Sequence, residues 1–426
     1  MTISGGSAVS PLIASVRYRG KEFHSQKKFL DGTHRAAAPE ETLEVLRPHF
    51  RQAGITRLAN ITGLDRIGIP TVLAQRPNCP TLSNAAGKGY TLVAASVSAA
   101  MEAIEIYHAE NVRLNCFQDS YRNLSLRHAV IPQEQLPLTK HSLFDPQRSE
   151  SWVLGWDLIN KEDIAVPYAC VAMTLPKDQR PSRWMEFSMG TNGLAGGNVF
   201  LEAISAALNE VVERDAIACN RVAAATVGYQ FPRVRLESIG SPLVWTLLDI
   251  FEAAAIKPIL FDCTVDTQVP CYMAIIYDMA TPHTGLFRGY GAHLDPAVAM
   301  IRALTEAAQS RLIAIAGSRD DYFRRDLLSH RSAGGDAGIS AFESSPALID
   351  ATHRRSEATD SFEGDILKVL DKLRAAAIHR VIVVDLSDDL IGVPVVRVIV
   401  PGLEGYMFDH YAPGPRARAF CAAHPN

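Results

Sequence analysis

The sequence predicts a mixed α/β (α+β) fold built as one large composite body, and three observations carry that expectation. Short runs rich in β-branched residues alternate with long alanine-rich stretches of helical period. Apolar side chains make up 47% of 426 residues and charged ones 21%, which suits a full core and excludes a disordered or fibrous chain. No repeat of roughly 20 to 50 residues is visible, so a solenoid or propeller is excluded.

In chain order, residues 1–30 read as a flexible N-terminal segment and 31–426 as the folded body. A basic stretch from Lys21 to Arg35 leads into Pro39-Glu40-Glu41-Thr42, where a proline in the first turn starts a short helix. Ile55 to Ile61 reads as a strand, Gly63 to Gly68 as a turn and Pro70 to Gln75 as a second strand. Gly87-Lys88-Gly89 then opens a first long helix, about Thr91 to Glu110. A second runs from about Asn198 to Ala218, after the glycine-rich run Gly193 to Gly197. A third, Asp295 to Ala316, begins with an aspartate cap followed by Pro296. Strands are expected at Ala169–Leu175, Pro258–Val265, Cys271–Asp278, His379–Asp385 and Val393–Val400, giving several βα units. The stretch from about 328 to 365 turns to Ser, Gly, Asp, His and Arg and reads as a mobile polar loop, either a lid or an inert insertion.

Charge and cysteine usage narrow the function classes. A formal net charge of -4 argues against nucleic acid as a partner. The seven cysteines are scattered and never spaced C-x-x-C, which argues against a disulfide framework or a zinc ribbon and fits a reducing cytoplasm. Met1 to Ser10 lacks the basic-then-apolar pattern of an export signal, and Leu390 to Val400 is too short to span a bilayer and carries Arg397, so no membrane association is expected.

The chemistry is concentrated on the three long helices. Ser98, Glu102 and Glu105 sit at i, i+4 and i+7, one hydroxyl and two carboxylates on one stripe. Asn198, Glu202, Asn209 and Glu213 form a second stripe, with Glu210 at its margin. Taken singly, either stripe also fits a solvated acidic face. Two of them in one chain favour a hard divalent cation with oxygen ligands, Mg²⁺ with nucleotide phosphates being the natural occupant. Arg214 and Arg302, the latter aligned with Glu306 and Gln309, can supply cations for phosphate oxygens or serve as plain ion-pair partners. The glycine run before the second stripe can bring backbone amides to phosphate, and equally fits an ordinary loop. No G-x-x-x-x-G-K-[ST] or G-x-G-x-x-G is present, which disfavours a P-loop or Rossmann enzyme, and no G-x-S-x-G or H-E-x-x-H occurs. His34, His108, His293 and His410 read as ordinary surface or core residues.

Together, Ser83 to Glu110 (SNAAGKGYTLVAASVSAAMEAIEIYHAE), Thr191 to Asp215 (TNGLAGGNVFLEAISAALNEVVERD) and His293 to Arg311 (HLDPAVAMIRALTEAAQSR) resemble the YcaO family in the family's order, over nearly the whole chain. Gly54 to Pro70 and Val400 to Glu404 extend the match, closest to members encoded beside a TfuA partner protein. The resemblance implies a YcaO-type domain with an ATP site between acidic helices. It implies nucleotide contacts from Ser98, Glu102, Asn198, Arg214, Arg302 and Gln309, and from Lys28 and Thr33 near the N-terminus. It implies metal ligation by Glu102, Glu105, Glu202, Glu210 and Glu213, with Arg214 and Arg302 as the catalytic cations.

The reaction so implied is activation of a peptide or protein backbone amide by transfer of the ATP γ-phosphate to the amide oxygen. An external sulfide equivalent then gives a thioamide, and a neighbouring Cys, Ser or Thr gives an azoline. Azoline-forming members commonly end in a proline-rich tail, whereas here eleven residues follow Pro413-Gly414-Pro415, so thioamidation is expected. Ala195 stands near a position where relatives carry Ser. No separate module for a leader peptide is visible, so a TfuA-like or leader-binding partner is expected, and paired subunits, a homodimer, are common among relatives. A nucleotide-binding scaffold that presents peptide without doing chemistry is the alternative from another class.

Overall fold

A computed structural model describes residues 15–174, 186–188, 190–281, 285–318, 336–345, 348–405 and 411–425. The expected mixture of helix and sheet is present, but the connectivity differs from a chain of βα units. The ladders among the described strands are antiparallel except two: Ala129–Val130 (β7) beside Glu162–Pro167 (β9), and Arg233–Arg235 (β11) beside Leu348–Asp350 (β15). Consecutive strands such as β3–β4–β5, β8–β9 and β12–β13–β14 pair as antiparallel neighbours, while β10–β17, β8–β16 and β11–β15 are brought together from distant parts of the chain.

Four sheets result. Val16–Tyr18 (β1) and Lys21–Phe23 (β2) form a hairpin; Arg57–Asn60 (β3), Thr71–Gln75 (β4) and Asn84–Lys88 (β5) form a three-stranded sheet in that order. A seven-stranded sheet runs Leu194–Gly196 (β10), Val395–Ile399 (β17), Ile382–Asp385 (β16), Ser149–Asp157 (β8), β9, β7, with Phe117–Ser120 (β6) pairing β8. A five-stranded sheet runs Phe287–Ala292 (β14), Cys271–Asp278 (β13), Ile256–Asp262 (β12), β11, β15.

The two larger sheets are covered on both faces, which is why their strands read as near-continuous apolar runs. All of β13 is buried: Tyr272, Ala274 and Ile276 enter one cluster with the third long helix, and Cys271, Met273 and Ile275 enter another with the end of the second. Likewise Ile382 and Val384 of β16 face the core of the first long helix, while Val383 faces that of the second.

The long helices fall where their caps put them. The first is Leu92–Glu110, whose Thr91 cap accepts from the Ala94 amide. The third is Pro296–Ala316, whose Asp295 Oδ1 accepts from the amides of Ala297 and Val298. The second, Phe200–Val227, continues past the expected end at Ala218 and stops only where Gly228 takes a left-handed φ of 68°. Gly87, expected to open the first helix, lies instead in β5; a Cβ there would stand 2.1 Å from the Ala99 nitrogen, so glycine lets this strand lie directly on the helix backbone.

Other expectations are corrected in detail. Ala169–Leu175 is not a strand: Tyr168–Cys170 is a 3₁₀ turn following β9, and Leu175 lies outside the described residues. Residues 15–30, assigned to a flexible N-terminal segment, pack on the body through the β1–β2 hairpin and a bridge from Gln26 to Ser361. Within 328–365, the described residues include a helix at Asp336–Glu343, strand β15, a 3₁₀ turn at Ala351–His353 and the start of the Phe362–Ala375 helix. These are parts of the body; residues 328–335 lie outside the described set. Among the described residues, no helix is long and apolar enough to cross a membrane.

One buried ion pair ties the N-terminal segment down. The Lys27 ammonium donates to Asp365 Oδ2 at 2.5 Å and to the Thr359 carbonyl at 2.7 Å, and lies 3.1 Å from His34 Nδ1. Removing the cation strands a buried carboxylate, so Lys27→Met is expected to cost about 3 to 5 kcal/mol in a urea unfolding titration.

Candidate active site

The sheets bring the acidic stripes of the first and second long helices together at one seam. Glu105 reaches across to β10, where its Oε1 accepts from the Gly196 amide at 2.6 Å. Burial pushes the Glu105 carboxyl up to about 8 against the pull of that hydrogen bond, with Glu102 and Glu210 adding to the rise. Glu210 is raised by burial too, opposed by Arg214 and reinforced by Glu213. Glu213 accepts from the Ala292 amide at the end of β14, 3.2 Å away; burial raises it, Arg214 opposes and Glu306 reinforces. Ser98 is half-buried on the Glu102–Glu105 stripe.

Cations interleave with these acids more than the sequence stripes suggest. Arg214 stands 3.7 Å from Glu210 and from Glu213, and Arg302 3.9 Å from Glu213. These separations are ion pairs without tight hydrogen bonds. Burial would raise Glu306, but Lys88, held close at 2.6 Å, together with Arg214 and Arg302 outweighs it and leaves that carboxyl below its ordinary value. Arg397 lies buried beside Glu210, donating to the carbonyls of Asn192 and Val171; burial holds its guanidinium down to about 10. Three buried polar atoms of this cluster make no hydrogen bond among the described residues: Arg302 Nε, Arg397 Nε and Asn209 Oδ1.

Not every expected residue joins this cluster. Glu202, expected among the metal ligands, has both oxygens engaged by protein donors: the amides of Ala36 and Asn198, the Asn198 side chain and Arg35. In this arrangement it latches residues 35–36 onto the start of the second helix. Asn198 in turn accepts from Thr42. Gln309 donates to the Ala86 carbonyl at 2.6 Å, fastening the third helix to β5. Thr33 is half-buried, whereas Lys28 is exposed; its neighbour Lys27 is the buried lysine. The glycine run is not an open phosphate loop. Gly196 gives its amide to Glu105 and Gly197 to the Pro394 carbonyl, and a Cβ on Gly196 would meet Met101 Sδ at 2.6 Å.

Lys88, Glu306 and Arg397 belong to the cluster without having been singled out as site residues. A buried arginine within the apolar run of β17 was the available signal, since Arg is almost never buried unpaired. His34 and His293, taken as ordinary, face each other edge to face at 4.6 Å near Lys27. His410 lies outside the described residues.

An oxygen-rich set of buried carboxylates interleaved with arginines, with three of the cluster's polar atoms unsatisfied, fits a hard divalent cation and an anionic ligand. Comparison with known proteins gives this arrangement a lineage. Residues 86–404 match the family model described as YcaO cyclodehydratase, ATP- and Mg²⁺-binding, and the chain belongs to the YcaO family.

Among relatives, a protein of Rhizobium leguminosarum bv. trifolii, named only as lying in the tfuA 3′ region, is 34% identical over 87% of this chain and 88% of its own. An uncharacterized protein of Methanothermobacter thermautotrophicus is 35% identical over 90% of this chain and 98% of its own. Among solved structures, YcaO from Methanopyrus kandleri bound with AMPPCP and Mg²⁺ superposes with a TM-score of 0.72 at 24% identity, covering 92% of this chain and 98% of that one. A heterocyclase in complex with substrate and cofactor gives 0.77 at 21% identity, covering 95% of this chain but only 57% of the heterocyclase. These structural likenesses speak to the fold.

The raised Glu105 carboxyl has a consequence for metal-free protein. It holds its proton in the folded state between the ordinary value of 4.5 and about 8, while the unfolded chain has lost it. The folded state therefore binds more protons in that window, and its stability falls as pH rises through it. Glu105→Gln keeps an acceptor for Gly196 and cannot ionise. It is expected to flatten this part of the pH dependence and to be more stable than the parent near pH 8 in urea titrations with chelator, a result that an unchanged slope would contradict.

Proposed function

We propose that this protein uses ATP and Mg²⁺ to activate a backbone amide of a ribosomally made peptide or a protein. The observation that carries the reading is the buried carboxylate cluster at the seam of the helices, interleaved with arginines, in a member of a family described as ATP- and Mg²⁺-binding. Glu102, Glu105, Glu210 and Glu213 would hold the metal, and Arg214 and Arg302 would turn from their carboxylate partners to phosphate oxygens. Bound ATP supplies the phosphoryl group that converts the amide oxygen from a poor leaving group into a good one.

The chain's own groups do the rest by position. The amides of Gly196 and Ala292 fix Glu105 and Glu213, so their free lone pairs are aimed before ligand arrives. The Lys88–Glu306 pair and the Gln309–Ala86 bond brace the third helix against β5, which holds Arg302 at the edge of the cluster. Glu202 closes the N-terminal side by drawing Arg35 onto the second helix. Shielding from water strengthens each of these charge interactions.

Thioamide formation, with a TfuA-like partner, is the favoured outcome because a relative in the tfuA 3′ region is alike over 87% of this chain. Azoline formation is the second reading, supported by the family's description as a cyclodehydratase. Incubation with ATP, Mg²⁺, partner and peptide separates them: exchange of oxygen for sulfur raises the peptide mass, and loss of water lowers it. Glu105→Ala and Glu213→Ala are each expected to lower Mg²⁺-dependent ATP turnover by at least about a hundredfold, the size of a lost preorganised electrostatic contact. Tight nucleotide binding without turnover, with partner and peptide present, would instead mark a scaffold.

A further inference from the structure

A groove of about 440 Å³ opens beside the first long helix, on the side away from its acidic stripe. Leu43 and Arg47 form one wall, Leu92 and Ser96 from the first turns of the long helix another, and Arg57 and Leu58 of β3 the third. Among the described residues β3 ends its sheet, pairing with β4 alone. The Ile61 amide bonds the Thr71 carbonyl, and the register pairs Ala59 with Leu73 and Arg57 with Gln75. Antiparallel ladders alternate, so Arg57 and Ala59 turn their backbone groups to β4 while Leu58 and Asn60 turn theirs outward, along the groove.

We propose that this groove takes an extended, acidic segment of the peptide substrate, added as a fourth strand along β3. Outward backbone groups supply the ladder, and the apolar floor, with Leu92 45% exposed, takes alternate side chains. Arg47 and Arg57 are exposed and have no ion-pair partner among the described residues, a basic pair on a chain of net charge -4. That charge selects an acidic occupant and opposes pairing of β3 with a second copy of itself, which would bring like charges together.

The location suits a segment flanking the reacting amide. Ser96 and Glu102 lie on one helix, a rise of about 9 Å apart along its axis and on different sides of it, so an extended chain of a few residues spans from groove to cluster. The short helix Pro39–Leu46 bridges the same two sites, Thr42 donating to Asn198 while Leu43 lines the groove. The inference rests on the proposed peptide activity, and its test is independent of catalysis.

A fluorescent heptapeptide alternating glutamate and valine is titrated with the full chain, without nucleotide, and followed by anisotropy. Saturable binding is expected, weakened about tenfold by Arg47→Glu or Arg57→Glu and about a hundredfold by both. The same peptide N-methylated at alternate amides, tested on the unaltered protein, is expected to bind at least tenfold more weakly. Absence of saturable binding, equal binding of the N-methylated or a lysine–valine peptide, or unchanged affinity in the double variant would overturn the proposal. So would charge reversals that spare peptide binding and weaken association with a TfuA-like protein. Failure here with intact Mg²⁺-dependent turnover by the unaltered enzyme would leave the amide-activation reading standing.

Discussion

Carboxylates buried side by side are unstable unless the fold holds them there, and that constraint organises the protein. Glu105, Glu210 and Glu213 are each raised by burial, and each is pushed further by another carboxylate. The fold clips Glu105 to the Gly196 amide of the seven-stranded sheet and Glu213 to the Ala292 amide of the five-stranded one. The carboxylate cluster thus lies at the seam between the sheets, with the second long helix carrying Glu210 and Glu213. A cluster whose electrostatics improve on gaining a divalent cation has been built at the expense of the empty protein's stability.

Two grades of cation serve different ends around that seam. Lys88, Arg397 and Lys27 are held by short hydrogen bonds to a carboxylate or to backbone carbonyls and are structural anchors. Arg214 and Arg302 stay 3.7 to 3.9 Å from their carboxylates, and Arg302 Nε lacks a partner. A guanidinium placed like that of Arg302 gives up only a 3.9 Å ion pair when it exchanges this carboxylate for a phosphate oxygen.

What the sequence made legible follows from periodicity. The 3.6-residue stripes placed Glu102 with Glu105 and Glu213 near Glu210 on their helix faces, and the Asp295 cap located the start of the third long helix. Strand pairing was not legible, since β-branched runs such as β13 look alike in parallel and antiparallel sheets when both faces are buried. The roles of Glu202 and of the glycine run were hidden for a related reason. Whether a carboxylate or an amide is free depends on partners far off in the chain, Arg35 and Ala36 for Glu202 and Glu105 for Gly196. Local pattern shows which groups share a face and says nothing of which are already satisfied.

Glu202 shows how such a partner changes the meaning of a residue. Its stripe led to the expectation of a metal ligand, yet its donors come from residues 35–36 and from Asn198, and residues 27–34 are themselves fixed to the Phe362–Ala375 helix through Lys27 and Asp365. The second long helix has no side-chain cap at Val199, so the Glu202 carboxylate in its first turn also offsets the helix dipole. Drawing Glu202 toward a metal would release the Ala36 amide and Arg35 together. A metal that drew on Glu202 would therefore compete with the N-terminal segment for one side chain.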